Sequence, residues 1–440
     1  MWENHEDLFR IQVTEPNVSV KDVIKKIVRS GNVEDAFYVC DVSDIVKKYK
    51  DWKRAMPRIE TYYAVKCNAH RLVLETLVAM GSGFDCASKE EIKKILSLGV
   101  PPNKIIYAHP TKKLSHLKYA AEVGIEMMTF DNEMELHKVK HMFPTAKLVL
   151  RIKYDDPRSN FPLGGKFGAN PDTAAKDLLE KAKSLGLEVI GVSFHIGSGN
   201  THLDVYQKAI IASRKVFDMG AELGYQFKLL DIGGGFSGNT GSSINEVGIA
   251  VNKFIDQYFP DPSIKIIAEP GQYFVISAFT LVTQIHSKRC LPSQNGSELI
   301  RMYYVDISVF NSIIIGLYDL YVKIAPVEEA KGAPVYPSTV WGATCDGSDR
   351  VSPETVLLPE LAIGDWVAFE EIGAYSLSIA SDFNGFELPH VHGIVNRRDW
   401  KFLTEAAKRP MSKQKFATGD YPENYLTGLM KPSKFDTNYF

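Results

Sequence analysis

The sequence of 440 residues is poor in cysteine and carries almost no net charge. Its 51 basic and 53 acidic residues leave a net charge of −2, which gives no electrostatic footprint for nucleic acid or for a membrane surface. The few cysteines are scattered and form no CxxC pair, which argues against a disulfide framework or a structural zinc site and favours a reducing cytosol. They are Cys40, Cys67, Cys86, Cys290 and Cys345. We expect no metal and no nucleic-acid or membrane partner.

Long apolar runs are also missing. The longest, such as Ile313–Ile315, are far shorter than a membrane span. The first residues, Met1–Asp7, are acidic and lack the basic-then-apolar order of a signal peptide. A composition of 45% hydrophobic and 24% charged residues is ordinary for a globular protein, and 440 residues suffice for two domains. We expect a cytoplasmic globular protein.

The middle of the chain alternates short apolar strands with helical stretches. One helical stretch follows Ser88, a good N-cap, and stops at Gly99. Strands that alternate with helices imply a parallel sheet, and eight such units in about 210 residues fit a closed (β/α)8 TIM-like barrel. A doubly wound open sheet is the alternative, because periodicity does not show closure. The predicted strands are Tyr62–Cys67, Gly83–Ala87, Ile105–Ala108, Met127–Phe130, Leu148–Ile152, Val189–Ile196, Leu229–Ile232 and Lys265–Glu269.

After about residue 275, strand-like runs follow one another without long helices. Turn clusters such as Pro292–Gly296 separate them, which indicates an all-β, antiparallel domain of sandwich or barrel-like form. A strand at Phe37–Val39 is expected to join this domain. We therefore predict an N-terminal arm over residues 1–40, the barrel over 41–277, the C-terminal β domain over 278–400 and a loosely ordered tail over 401–440.

One lysine, Lys66, lies at the end of the first predicted barrel strand. A lysine is costly to bury there unless it is paired or used chemically. Burial also lowers the pKa of an amine, as a Schiff-base lysine requires. Taken alone, Lys66 is more simply a lysine whose flexible stem reaches water. The other strand ends change this interpretation, because function in a barrel resides at the carboxyl ends of its strands.

Polar residues and glycines follow the other strands. Three consecutive glycines leave backbone N–H groups able to cradle a phosphate, and barrels often bind phosphate between the loops after strands seven and eight. Elsewhere such a run is an ordinary turn, and a lone histidine or glutamate is a satisfied loop residue. Together, an amine, a phosphate cradle, a carboxylate and a flat ring describe a pyridoxal 5'-phosphate site. The residues are Asp85, Arg151, His195, Asp231, Gly233–Gly235 and Glu269.

Five stretches of the sequence resemble one known family. They are Tyr63–Asn68, Gly83–Lys89, His195–Gly199, Asp231–Phe236 and Trp341–Gly347. The family is that of eukaryotic ornithine decarboxylases, which are fold-type III, alanine-racemase-like enzymes that use pyridoxal 5'-phosphate. The resemblance runs in order from about residue 36 to about residue 400. It implies decarboxylation of a basic amino acid, ornithine to putrescine in polyamine biosynthesis, by a homodimer whose active sites are shared across the interface.

The resemblance also implies roles for the matching residues. Lys66 would hold the cofactor through a Schiff base, Glu269 would keep its ring nitrogen protonated, and His195 would stack on its ring. Asp85 and Arg151 would support the Lys66 end of the site. The phosphate would be bound by Ser198, Gly233, Gly234, Gly235, Gly271, Gln272 and Tyr375. The substrate end would be formed by Tyr318, Asp319, Cys345, Asp346 and Phe383.

Two residues of the substrate end have specific implied roles. Cys345 would assist reprotonation of the substrate carbon across the dimer interface. Asp346, with Asp319, would receive the distal amine, since a buried ammonium left unpaired is costly. Without the resemblance, Asp346 would be interpreted as the first residue of an Asp-Gly turn.

The sequence departs from the family pattern at three places. Gln272 stands where the family has arginine, which removes a charge-assisted contact to the phosphate. The stretch Asp306–Ile313 lacks two glycines and has Phe310 in place of tyrosine, and Leu320 replaces a histidine. Lysine or another amino acid is therefore an alternative substrate, and a catalytically inactive binding protein similar to antizyme inhibitors is an alternative function. The lysine-rich segment Lys112–His141 matches the region where the family binds its regulator, antizyme.

Overall fold

The structure, a computed structural model, describes residues 11–154, 164–197, 202–292, 299–313, 322–328, 332–352 and 355–407. These residues form a closed parallel barrel and a separate mixed sheet. No helix within these ranges is long and apolar enough to cross a membrane.

Two strands and two helices precede the barrel. In chain order they are β1 (Ile11–Thr14), α1 (Val20–Arg29), β2 (Phe37–Asp41) and α2 (Val42–Ala55). The carboxylate of Asp41 caps α2 by accepting a hydrogen bond from the N–H of Ser43 (2.9 Å). The backbone N–H of Asp41 donates to the carbonyl of Ala278 (2.7 Å). Asp41 therefore connects the end of β2 and the start of α2 to Ala278, which directly precedes the longest strand of the second sheet.

Eight parallel strands form the barrel, and a helix follows each of them. The elements are β3 (Ile59–Ala64), α3 (Arg71–Ala79), β4 (Gly83–Cys86), α4 (Lys89–Ser97), β5 (Ile105–Tyr107), α5 (Leu114–Glu122), β6 (Met127–Phe130), α6 (Glu133–Met142), β7 (Lys147–Arg151), α7 (Ala175–Ser184), β8 (Glu188–Ser193), α8 (Asp204–Glu222), β9 (Leu229–Asp231), α9 (Ile244–Tyr258), β10 (Lys265–Ala268) and α10 (Gln272–Val275). Strand β10 pairs with β3, with Ile266 beside Ile59. This pairing closes the sheet, confirms the predicted barrel and rules out the open alternative.

The helix-capping residue predicted for the second barrel helix makes the expected hydrogen bond, whereas the first strand ends earlier than predicted. Ser88 caps α4 by accepting a hydrogen bond from the N–H of Glu91 (3.3 Å), as its position before the helical stretch predicted. The first barrel strand differs most from its prediction, because β3 ends at Ala64 and the next three residues form a 3-10 turn. Those three residues, Val65–Cys67, are largely apolar, so the pattern alone did not separate the turn from the strand.

The remaining strands form a nine-stranded sheet with β1 and β2. They are β11 (Phe279–Pro292), β12 (Leu299–Val305), β13 (Lys323–Pro326), β14 (Val335–Trp341), β15 (Val356–Pro359), β16 (Trp366–Glu370) and β17 (His390–Asn396), and α11 (Arg397–Ala406) follows. The strand order is β1-β17-β2-β11-β12-β14-β15, with β16 beside β11 and β13 beside β16.

The second sheet is mixed, whereas we predicted an antiparallel one. The pairs β1–β17, β17–β2 and β12–β14 are parallel, and the others are antiparallel. Parallel neighbours need a long connection, and the whole barrel lies between β2 and β17 in the chain. The alternating pattern of a strand does not reveal the direction of its partner. Helix α11 also extends past residue 401, where we predicted the tail to begin.

Aromatic packing fixes the side of the barrel that carries the glycine run. Trp52 of α2 is fully buried, and its indole N–H donates to the carbonyl of Ile59 (3.0 Å). Its ring centroid lies 4.8 Å from that of Phe236 and 5.4 Å from that of Tyr273. These contacts hold the segments that follow β9 and β10 against α2, because large buried aromatic rings pack with defined geometry.

Candidate active site

Lys66 lies in the 3-10 turn directly after β3, at the carboxyl end of the barrel. Its Nζ is 2.5 Å from Oδ2 of Asp85 on β4. The Asp85 side chain is 1% exposed, whereas 42% of the Lys66 side chain is exposed. The amine is therefore fixed by a buried carboxylate and still open to an incoming group.

The amine of Lys66 is more basic than we predicted. Burial lowers its pKa, but the carboxylates of Asp85 and Glu269 outweigh burial and raise the pKa above the ordinary lysine value. The predicted lowering is wrong because it considered desolvation without the acidic neighbours. Lys66 is therefore a protonated, paired lysine in the protein alone, and it must lose a proton before it acts as a nucleophile.

Three acidic side chains gather at the strand ends beside Lys66. Asp85, Asp231 and Glu269 are 1%, 1% and 9% exposed. Burial raises the pKa of Glu269 well above its usual range, the Asp231 and Asp85 carboxylates raise it further, and burial also raises the pKa of Asp231. Oδ1 of Asp85 has no hydrogen-bond partner among the described residues, and the side chains of Asp231 and Glu269 interact with each other. Buried carboxyl oxygens normally have partners, so this group is suited to a ligand that donates protons or carries positive charge.

The glycine run forms a tight turn over the same end of the barrel. Gly233 and Gly235 have φ of +63° and +98°, which side chains disfavour. A Cβ on Gly233 would overlap the carbonyl of Phe194, and one on Gly234 would lie 2.8 Å from Nε2 of His195. Within the described chain, the N–H groups of Gly234 and Gly235 donate to no acceptor. Two free N–H groups in a side-chain-free turn can bind an anion such as a phosphate.

His195 lies beside this turn and is half-buried. Its Nδ1 accepts a hydrogen bond from the N–H of Gly197 (3.0 Å), which leaves the proton on Nε2. Burial, with the charges of Arg151 and Lys66, lowers the pKa of His195 to about 3. The imidazole is therefore neutral at physiological pH and offers a flat ring beside the glycine turn.

A segment that follows β16 attaches to the Lys66 turn. The N–H of Tyr375 donates to the carbonyl of Cys67 (2.9 Å), and the side-chain amide of Asn68 donates to the carbonyl of Gly373 (2.8 Å). Tyr375 has a φ of +52°, a strained value for a tyrosine. Burial raises the pKa of its hydroxyl to about 12, so the hydroxyl stays a proton donor.

The other predicted cofactor residues lie around this centre. A Cβ on Gly271 would be 2.9 Å from that of Cys67, so Gly271 lies against the Lys66 turn. Gln272 is the half-buried first residue of α10. The Arg151 guanidinium lies 5.2 Å from the ring centroid of Phe167. Three further predicted site residues lie outside the described residues: Ser198, Tyr318 and Asp319.

Cys345 and Asp346 lie on an exposed loop between β14 and β15. The N–H of Cys345 donates to Oδ1 of Asn384 (3.1 Å). The Asp346 carboxylate accepts hydrogen bonds from the N–H and Oγ of Ser348 (2.7 and 2.5 Å), and these bonds lower its pKa. As far as the described chain goes, the hydrogen bonds of both residues stay within the region of the mixed sheet. The structure thus does not join them to Lys66 within one copy.

Phe383 contacts Phe310, the residue at which the sequence departs from the family pattern. Their ring centroids are 4.7 Å apart, and 43% of Phe383 is exposed. The N–H of Ser381 donates to the carbonyl of Phe310 (2.8 Å), which fixes the two segments together. The departure therefore lies next to a residue predicted to contact substrate.

Sequence reasoning gave no role to two acidic residues of this region. Asp231 belongs to the buried acidic group, and its position two residues before Gly233 was an available signal. The carboxylate of Glu371 accepts hydrogen bonds from the N–H of Thr240 (2.7 Å), from Nδ2 of Asn239 (2.9 Å) and from Nζ of Lys323 (3.0 Å). Glu371 has a φ of +60°, and no sequence pattern marks it.

One planar cofactor would satisfy these groups together. Pyridoxal 5'-phosphate has an aldehyde for the amine of Lys66, a ring nitrogen for the buried acid Glu269 and a phosphate for the glycine turn. The unpartnered oxygen of Asp85 and the free N–H groups of the turn fit such a ligand. Fold and site thus define the class of barrel enzymes that use this cofactor.

Comparison with known proteins defines the family. The sequence model described as pyridoxal-dependent decarboxylase, pyridoxal binding domain, matches residues 42–276. Ornithine decarboxylase of Rattus norvegicus is 45% identical over 414 residues, which cover 90% of this chain and 89% of that protein. Antizyme inhibitor 2 of Xenopus laevis is 44% identical over 394 residues, covering 87% and 86%. The solved arginine decarboxylase of Paramecium bursaria Chlorella virus, bound to agmatine, has a TM-score of 0.81 and 35% identity, covering 85% and 100%.

The chain belongs to the pyridoxal-dependent decarboxylase family, and it is a decarboxylase that uses pyridoxal 5'-phosphate.

Proposed function

We propose that the protein decarboxylates L-ornithine to putrescine, a step of polyamine biosynthesis. The observation that carries the proposal is the contact of Lys66 Nζ with Oδ2 of Asp85 (2.5 Å), next to the buried Glu269. A rat relative that is 45% identical over 90% of the chain is an ornithine decarboxylase, which favours this substrate.

The cofactor end would work through residues with distinct tasks. When bound, pyridoxal 5'-phosphate supplies an electron sink for the negative charge left at Cα when the substrate carboxylate departs as carbon dioxide. Lys66 would hold its aldehyde, and Asp85 keeps that amine at the strand end. Glu269, with its raised pKa, would hold a proton at the ring nitrogen. His195 would cover one face of the ring.

The phosphate would be bound mainly by uncharged donors. The free N–H groups of Gly234 and Gly235 would provide two hydrogen bonds. The Tyr375 hydroxyl, which burial keeps protonated, and the Gln272 amide would add side-chain donors. Gly233, Gly271 and Ser198 complete the proposed set.

The substrate end would recognise the distal ammonium of ornithine. Asp346 is an exposed carboxylate, ionised near neutral pH, and the hydrogen bonds from Ser348 lower its pKa further. Its carboxylate would pair with that ammonium, together with Asp319. The thiol of Cys345 would deliver the proton to Cα, and the Phe310–Phe383 pair, with Tyr318, would form the wall of the pocket.

We further propose a homodimer in which each site combines the cofactor end of one copy with Cys345 and Asp346 of the other. The support is that both residues are exposed and make their hydrogen bonds within their own region of the described chain. Two-fold dimers with self-complementary interfaces are the commonest homo-oligomers. The division into an arm (1–40), a barrel (41–277), a β domain (278–400) and a tail (401–440) is part of the proposal. A cytoplasmic location fits the free thiols of all five cysteines.

A decarboxylation panel tests the proposed substrate. Carbon dioxide release is measured from L-ornithine, L-lysine and L-arginine at saturating pyridoxal 5'-phosphate. We expect the highest kcat/KM with ornithine. No turnover on any of the three would overturn the proposed function, and a preference for lysine or arginine would overturn the substrate.

Replacing Asp346 tests recognition of the distal ammonium. We expect Asp346→Asn to lower kcat/KM for ornithine by at least about a hundredfold, since the distal ammonium would enter the proposed site without its charged partner. The matched control is Asp365→Asn, because Asp365 caps a turn in the same region by accepting from the N–H of Ala362 (2.7 Å). Equal losses in both variants would contradict the role of Asp346.

A second candidate function is a regulatory binding protein without catalysis. The 44% identity to antizyme inhibitor 2 favours it, as does Gln272 in the proposed phosphate site. The segment Lys112–His141, proposed to bind an antizyme-like regulator, presents Lys113, Lys118 and Lys140 at the surface. Lys112 itself is buried, with Nζ 2.9 Å from Oε1 of Glu135. A pure binder would keep its cellular effect in Lys66→Ala, whereas an enzyme would lose it.

A further inference from the structure

Asp349 is a buried carboxylate at the base of the loop that carries Cys345 and Asp346. It is 1% exposed. Its Oδ2 accepts hydrogen bonds from the N–H and the hydroxyl of Thr344 (2.9 and 2.6 Å). Its backbone carbonyl accepts from the N–H of Gly342 (2.8 Å), and its N–H donates to the carbonyl of Asp346 (3.1 Å). Residues 342–349, the Cys345 loop, are therefore folded around this one side chain.

The same carboxylate reaches a second loop. Its Oδ1 accepts from the N–H of Val309 (2.9 Å), within residues 306–313, the Phe310 loop. The N–H of Ala343 also donates to the carbonyl of Ile307 (2.9 Å). A Cβ on Gly342 would overlap both carboxylate oxygens of Asp349, so the space for this side chain exists only because residue 342 is glycine. Asp349 thus joins the Cys345 loop to the Phe310 loop.

The three hydrogen bonds make the carboxylate a strong determinant of loop shape. Among the described residues, every donor to the Asp349 carboxylate is a neutral N–H or hydroxyl group. Hydrogen bonds to a charged acceptor are about twice as strong as those between neutral groups. Loss of the charge would leave a buried site with three donors and fewer acceptors, which is costly. The loops would then relax, and Cys345 is only one residue from Thr344.

We propose that Asp349 is a positioning residue: its buried carboxylate sets the conformation of Cys345 and Asp346 and couples it to the Phe310 loop. The proposal rests on the proposed function for its catalytic consequence. Because both loops bind the same carboxylate, the Cys345 thiol, the Asp346 carboxylate and the Phe310 side chain are held in one fixed arrangement. A change in the conformation of the Phe310 loop would then alter the position of Cys345 and leave the cofactor end unchanged.

The test is the reactivity of the Cys345 thiol in Asp349→Asn. A Cys290→Ser background removes the other exposed cysteine, since Cys40, Cys67 and Cys86 are buried. Labelling by iodoacetamide is followed by mass spectrometry, alongside melting temperature, cofactor Kd and steady-state kinetics on ornithine. Asp365→Asn is the matched control. Thr344→Val, which removes one hydroxyl donor, serves if Asp349→Asn does not fold.

We expect Asp349→Asn to change the labelling rate of Cys345 at least about threefold, because a loosened loop no longer holds the exposed thiol in one environment. We expect kcat to fall at least tenfold with the cofactor Kd changed less than twofold, and Thr344→Val to show smaller changes of the same sign. Labelling at the wild-type rate would overturn the proposal, as would a loss of cofactor affinity that parallels the loss of kcat. Labelling requires no turnover, so an inactive wild-type protein would contradict the proposed function and still leave this measurement decisive.

Discussion

The cofactor end and the proposed substrate end of the site are built in different ways. Lys66, Asp85 and Glu269 lie at the ends of barrel strands, so closure of the barrel fixes their positions. Cys345 and Asp346 lie on an exposed loop that side-chain hydrogen bonds hold in place. Strand ends keep chemistry constant, and loops allow specificity to vary. Of the three departures from the family pattern, Gln272 belongs to the predicted cofactor residues, and the other two fall in stretches predicted to form the substrate end.

Removing the Lys66 amine should abolish the function of the cofactor end. We expect Lys66→Ala to lower kcat/KM for ornithine by on the order of a thousandfold or more, because the covalent attachment is lost with the amine. Carbon dioxide release measures the loss. Lys93→Ala, at an exposed lysine of α4 paired with Glu90, is the control. Substantial activity in Lys66→Ala would mean that the cofactor end does not depend on this lysine.

Substituting two glycines of similar backbone conformation distinguishes loss of the phosphate cradle from backbone strain alone. Gly235 and Gly241 have φ of +98° and +93°, but a Cβ on Gly235 would overlap the carbonyl of Gly197, whereas one on Gly241 meets nothing within 4 Å. We expect Gly235→Ala to weaken cofactor binding by about a hundredfold and Gly241→Ala to change it by less than about twofold. Absorbance titration with pyridoxal 5'-phosphate gives both affinities. Equal effects would contradict a cradle at Gly235.

A cation at position 272 should strengthen the cofactor end. We expect Gln272→Arg to tighten binding of pyridoxal 5'-phosphate by about tenfold, because a charge-assisted hydrogen bond adds about 1.5–3 kcal/mol of gross interaction. The gain should shrink at high salt. Gln272→Lys offers the same charge without the fork geometry of arginine. Unchanged affinity in both variants would place position 272 away from the phosphate.

Glu371 links the loop after the glycine run to β13 and should have a smaller effect that depends on pH. Burial raises its pKa, but hydrogen bonds from Thr240, Asn239 and Lys323 lower the pKa to about 2, below the ordinary value of 4.5. A lowered acid pKa contributes stability above pH 4.5, and that stability is lost as pH falls towards 2. We expect Glu371→Gln to lower the free energy of unfolding by about 1.5 kcal/mol at pH 7. Denaturant titrations should show the difference from wild type shrinking below pH 4.5. A constant difference would contradict an ionised Glu371.

The sequence predicted the barrel and the meeting of Lys66, Asp85 and Glu269 at its strand ends, because both follow from strand positions. Alternation of strands and helices marked the barrel, and polar residues after each strand had to meet at one end. The basicity of Lys66 was not predictable, since it depends on Asp85 and Glu269 being close in space. Parallel pairs in the second sheet were also missed, and two of the three join strands from opposite ends of the chain. Asp349 and Glu371 act through contacts between distant loops, which leave no local pattern.

The central claim is that one site forms from the cofactor end of one copy and the substrate end of another. The most direct measurement mixes two inactive variants, Lys66→Ala and Cys345→Ala, after subunit exchange, and assays carbon dioxide release from ornithine. Random exchange gives half mixed dimers with one intact site each, so the account predicts recovery of about a quarter of wild-type activity. No recovery, with exchange confirmed independently, would contradict it.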